Sequence, residues 1–280
     1  MLTKLLALLF LCACQPKQAE KSAQVLVTIA PYAYFVEKIA GNTVEIAELV
    51  PPGVNMHIFE PTPRELVRLS HTKLWLKLGE PFEERILTAF KEKNPGMEVL
   101  DLGKGIPLLA HQGCGEDHVH EEARDLHYWM SPKLALMQCQ EIAAALIRLF
   151  PEHREQYEKG LKSLENELTN LDEELHTLLD PLKGRAILVS HSSFAYFCQE
   201  YGLIELSIEC GGKEPLPRDI DALVKRAKEL KVQAVFTQAG YANKGAELIA
   251  HMLHLPIHQV DPYNRDYSHN MMHIARLIAQ

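Results

Sequence analysis

Short apolar runs and amphipathic stretches alternate along the chain in two series, separated by one leucine-striped segment. In the first series, runs at 25–29, 44–50, 74–78 and 99–102 are rich in Val, Leu and Ile and read as strands, with helical stretches near 32–40, 63–69 and 82–91 between them. The second series repeats the pattern, with strands at 186–190, 205–208, 234–237 and 258–260 and helices near 194–201, 218–230, 244–253 and 268–278. Strands that are apolar throughout and separated by helices predict parallel sheets covered on both faces. The predicted fold class is α/β: two lobes, each a mostly parallel sheet of about four strands flanked by helices.

The segment between the two series starts at Pro151 and stops before Pro181. Leu161, Leu164, Leu168, Leu171, Leu175 and Leu178 recur at alternating steps of three and four, so one stripe is apolar and Glu and Lys cover the rest. At 1.5 Å per residue the helix reaches roughly 40 Å. A stripe of this kind serves either a coiled-coil dimer or a strut lying against both lobes of one molecule. The boundaries that follow are an N-terminal lobe at 25–150, a linking helix at 151–180 and a C-terminal lobe at 181–280, and each lobe has enough apolar sequence for a core of its own.

The N-terminus reads as an export signal over residues 1–13: Lys4 is followed by an apolar run at 5–11, and Leu11-Cys12-Ala13-Cys14 resembles a lipobox. That run is far shorter than the roughly 20 residues a bilayer span needs. Cys14 is then the expected lipidated residue, and polar residues 14–24 form a tether to the membrane surface. The formal net charge of −8, with no cluster of Lys and Arg, argues against a nucleic-acid partner. Of six cysteines, Cys12 and Cys14 belong to the signal and the anchor. Export to an oxidising compartment permits a disulfide, with Cys198 and Cys210 either paired or present as two buried thiols.

The chemistry gathers in four segments: Asn55-Met-His57-Ile-Phe-Glu60-Pro-Thr-Pro63, Asp125-Leu-His127-Tyr-Trp-Met-Ser-Pro132, His191-Ser-Ser-Phe-Ala-Tyr196 and Asp261-Pro-Tyr263. Singly, each has an ordinary explanation. His57 lies on an exposed loop, His127 sits among packing aromatics, His191 neighbours a helix cap, and Asp261 before a proline is a turn starter. Jointly, they lie at strand or loop ends and offer three imidazoles and one carboxylate, a donor set suited to a tetrahedral ion such as Zn²⁺. No His-Glu-x-x-His signature occurs.

With Glu214-Pro-Leu-Pro217 and the long central helix, these four motifs resemble the metal-specific solute-binding proteins of bacterial ABC importers, the zinc and manganese binders known as cluster A-I. The resemblance implies a single rigid helix joining two lobes, and metal ligands at His57, His127, His191 and Asp261. It also implies capture of Zn²⁺ outside the cytoplasm and delivery to a membrane permease by a monomer, with Mn²⁺ or Fe²⁺ as the alternative cargo. His at position 191 favours zinc, since manganese-type relatives usually carry Glu there. His111, His118 and His120, interleaved with acids, resemble a loop that gathers ions. Glu60 is expected to hold the His57 ring by its second nitrogen. A rival class is a zinc hydrolase with Glu60 as general base; a further one is a metal buffer or adhesin without a transporter.

Overall fold

The structure, a computed structural model, describes residues 23–110, 124–209, 215–241 and 243–280. The signal, Cys14, His111, His118, His120 and Cys210 lie outside the described residues. No single helix among the described residues is long and apolar enough to cross a membrane.

The two predicted series fold as two parallel four-stranded sheets. The first contains β1 (Val25–Val27), β2 (Ile46–Glu48), β3 (Leu74–Lys77) and β4 (Glu98–Asp101), in the order β2-β1-β3-β4. The second contains β5 (Ala186–Val189), β6 (Ile204–Ser207), β7 (Val235–Gln238) and β8 (Ile257–Val260), in the order β6-β5-β7-β8. Parallel neighbours need crossovers. In the first lobe α1 (Ala30–Ala40), α2 (Pro63–Leu69) and α3 (Pro81–Lys93) supply them, and in the second α6 (Ala195–Tyr201), α7 (Pro217–Glu229) and α8 (Lys244–Leu253) do so. Each of α2, α3 and α7 begins with proline, which costs nothing where the first amides have no helical partner. Gln24, assigned to the tether, is already tied to the sheet, donating to Glu45 and accepting from Lys73 at 2.8 Å each.

The linking segment is α5 (Arg154–Leu179), preceded by α4 (Pro132–Leu149) and covered by the final helix α9 (Tyr267–Ile278). Of the predicted stripe, Leu164, Leu168, Leu171 and Leu175 are buried and Leu161 and Leu178 at the ends only partly so, with Leu179 buried in addition. Burial of this stripe inside one chain answers the dimer-or-strut question in favour of the strut. Near its start, α5 packs against the C-terminal end of α1 so closely that a Cβ on Gly160 would lie 2.3 Å from the Ile39 carbonyl oxygen. Farther along, Glu167 takes hydrogen bonds from Tyr34, Lys38 and Ser268, so α1, α5 and α9 meet at one carboxylate.

The core departs from the expectation of one per lobe. Ile187, Val189 and Phe236, on one face of the second sheet, join the same apolar cluster as the first lobe and the strut. Ala186, Leu188 and Val235, on the other face, pack separately with Leu223, Val224, Ile249 and Ala250 of α7 and α8. The cause is the period of two along a strand: neighbours point to opposite faces, and only one face meets α5. Of the two cysteines whose pairing the sequence leaves open, α6 carries Cys198 into the core, where burial raises its thiol pKa well above the ordinary value, and Cys210 lies outside the described residues.

Candidate metal centre

His57 lies on the loop between β2 and α2, His127 just ahead of α4 and His191 just past β5, at the sheet edge where open α/β folds leave room for ligands. His57 rides on a single 3-10 turn, Met56–Ile58, after β2. Asn55 accepts the His57 amide at 2.9 Å, and Met56 is fully buried beneath. His127 precedes a second such turn, Tyr128–Met130, whose three side chains are buried, and Ser131 then caps α4 by accepting the Leu134 amide at 3.3 Å. His191 follows β5; Gln238, at the end of β7, donates to its carbonyl at 3.0 Å.

These loops bring one donor atom from each of His57, His127 and His191 within 4.8 Å of the others. The Nε2 atoms of His57 and His191 are 3.1 Å apart. Donors at about 2.0–2.1 Å from one tetrahedral ion lie roughly 3.3 Å from each other, so the spacing suits a shared ion. Behind each ring stands a carboxylate at Nδ1: Glu80 for His57 at 3.3 Å, Asp125 for His127 at 2.8 Å and Glu209 for His191 at 2.9 Å. A ring that donates its Nδ1 proton keeps the Nε2 lone pair, and this network thereby sets the tautomer that faces the shared space.

The carboxylates are themselves positioned. Glu80 sits on a loop whose amides, from Leu78, Gly79 and Glu80, all donate to the buried Glu83 carboxyl at 2.6–3.0 Å. In the second lobe, the buried Glu205 accepts the amides of Ser193 and Phe194 at 2.9 Å, just past His191. Burial raises the Glu83 pKa to about 7 and that of Glu205 to about 8, against the pull of those hydrogen bonds. One desolvated glutamate per lobe thus anchors a loop of the site, the Glu80 loop in the first and the loop after His191 in the second. Burial alone would disfavour a charged His57, but its hydrogen bond to Glu80 and the charges of Glu80, Glu209 and Asp125 outweigh it and raise the His57 pKa.

Two predicted residues stand apart from the triad. Asp261 is not in the group of mutually close donors: its Oδ1 accepts the Tyr263 amide at 3.0 Å, closing the turn its sequence context allowed. Glu60 does not hold His57. It lies in solvent, 79% exposed, with Arg85 as its neighbour at 3.5 Å, because the start of α2 carries it away from the ring that Glu80 reaches instead. Sequence reading missed Glu80 and Glu209 as well as two tyrosines. Tyr263 places its hydroxyl 2.9 Å from His127 Nε2, and Tyr241, hydrogen-bonded to Tyr263 at 2.9 Å, stacks on the His191 ring at 4.2 Å. A signal for the two glutamates existed: both are acids placed just after strand ends on the ligand-bearing edge.

The lobes touch beside this centre. A Cβ on Gly240, whose φ is +82°, would lie 2.4 Å from the Gly53 carbonyl oxygen on the loop that carries His57. A second gathering of donors, Asp172, His176 and Glu200 between α5 and α6, already holds the ammonium of Lys133.

Residues 25–280 match the family model described as zinc-uptake complex component A, periplasmic. A crystal structure of ZnuA superposes with a TM-score of 0.85 at 34% identity, covering 92% of this chain and 98% of that one. The high-affinity zinc uptake system protein ZnuA of Bacillus subtilis (strain 168) is 27% identical over 237 residues, 81% of this chain and 74% of the relative. The metal ABC transporter substrate-binding lipoprotein SsaB of Streptococcus sanguinis is 26% identical over 267 residues, 89% of this chain and 84% of the relative.

Proposed function

The chain belongs to the periplasmic zinc-uptake component A family, and on that premise we propose that His57, His127 and His191 capture Zn²⁺ outside the cytoplasm and hand it to the permease of an ABC importer. The observation that carries the reading is the set of three imidazoles whose close donors are each backed by a carboxylate. Three neutral nitrogens suit zinc better than manganese, which favours more oxygen donors. The fourth position goes to solvent, or to Asp261 once its carboxylate leaves the Tyr263 amide. The hydrolase alternative has lost its base, since Glu60 faces Arg85 rather than the histidines. Lipid attachment at Cys14 belongs to this proposal by analogy with the lipoprotein relative, and so does weak ion gathering by His111, His118 and His120.

The test is calorimetric titration of metal-stripped protein. One zinc per chain, held more tightly than manganese, is expected; absence of zinc uptake would overturn the proposal.

A pH dependence follows from His57. Its raised pKa means that the protonated ring persists to higher pH than in a free histidine. Metal needs the neutral ring, so binding is strongest above that pKa and weakens by about tenfold per pH unit below it, one proton being released per ion. Titrations in buffers of different ionisation enthalpy read the proton count directly; a count of zero across pH 6 to 7.5 would contradict the assignment of His57.

A further inference from the structure

The metal-facing nitrogen of His127 already has a partner from outside the triad. Its Nδ1 donates to Asp125 at 2.8 Å, leaving a single lone pair on Nε2, and the Tyr263 hydroxyl lies 2.9 Å from that atom. With Nδ1 carrying the ring's proton, the hydroxyl is the donor. Tyr263 is held there firmly. Its amide is tied to Asp261, the Asn264 amide closes the same turn onto the Asp261 carbonyl at 3.2 Å, and Trp129 donates to the Pro262 carbonyl at 2.9 Å. The Tyr241 ring, nearly parallel to that of Tyr263 at 10°, brings its own hydroxyl within 2.9 Å.

One lone pair serves one acceptor role at a time. A metal ion on His127 Nε2 and the Tyr263 hydrogen bond therefore exclude each other. Resting on the capture function above, we propose that Tyr263 is a displaceable occupant of the His127 ligand position, which competes with the cargo and returns to the imidazole as the ion leaves. Tyr263 is thus a positioning residue with a release role. It keeps the empty ring aimed, and it lowers the retention of an ion that a carrier must give up. Tyr241 strengthens the competitor, because a hydroxyl that accepts a hydrogen bond donates its own proton more strongly.

Tyr263→Phe removes the competing hydroxyl while keeping the ring. Zinc affinity of the full chain, measured by competition with a chelator, is expected to rise about fivefold, the equivalent of one neutral hydrogen bond of about 1 kcal/mol. Zinc release in a chelator chase is expected to slow to match. A merely structural role would shift both quantities the other way, as would a hydroxyl that helps hold the ion; unchanged or weaker binding overturns the proposal. Tyr241→Phe gives a second arm, with a smaller change of the same sign, and decides the matter if the first variant fails to fold. A wild-type chain that takes up no zinc would instead remove the capture function itself, an outcome separate from any difference between variants.

Discussion

Replacing His57 with alanine is expected to lower zinc affinity by more than about 100-fold, beyond the 10–100-fold that loss of a ligand's hydrogen-bonded partner costs. The melting temperature in chelator should fall by only about 2–4 °C, because the His57 side chain is 30% exposed and its one buried partner, Glu80, lies at a long 3.3 Å. His127→Ala should behave differently. His127 and Asp125 are both fully buried, so removing the ring takes one donor from a buried carboxylate that keeps the residue-127 amide, and leaves a hole in the core, at a stability cost of about 3 kcal/mol. Calorimetry with zinc, paired with thermal unfolding of the metal-free variants, separates the two effects. Wild-type affinity in His57→Ala would move the metal site elsewhere.

Gly160→Ala is expected to destabilise the protein by about 2 kcal/mol, although glycine-to-alanine inside a helix ordinarily stabilises by about 1 kcal/mol. The added Cβ would meet the Ile39 carbonyl oxygen at 2.3 Å and the Ile39 Cα and Lys38 carbonyl oxygen at 2.8 Å. These are backbone atoms of α1 and have no rotamer with which to yield, so α5 must shift. Chemical denaturation of the metal-free protein measures the loss. An increase in stability would mean that the helices are not in contact at Gly160.

Much of this arrangement was legible before any coordinates. Apolar runs bounded by turn residues marked all eight strands, because buried parallel strands leave little room for polar side chains. Their ends were less legible. The run at 44–50 yields only Ile46–Glu48 as a paired strand, since pairing depends on how far β1 extends beside it. The three histidines stood out jointly rather than singly, as imidazoles on loops that the alternation of strands and helices brings to one edge of each sheet. Asp261 was equally visible, but its role depended on whether its carboxylate turned toward the histidines or back onto its own turn, a choice made by local backbone geometry. Tyr263 fell within one of the four motifs but with no role assigned to it, and Tyr241 lay outside them all. They matter only because β7 and β8 lie side by side and end at the same edge, a tertiary fact.

The 3-10 turn Met56–Ile58 has a consequence beyond holding one ligand. With three residues per turn, successive side chains leave the axis about 120° apart. Met56 accordingly points into the core, His57 toward the centre, and Ile58 outward, 79% exposed. The methionine locked in the core fixes the roll of this short coil, so the direction in which the imidazole points is set from beneath rather than by solvent.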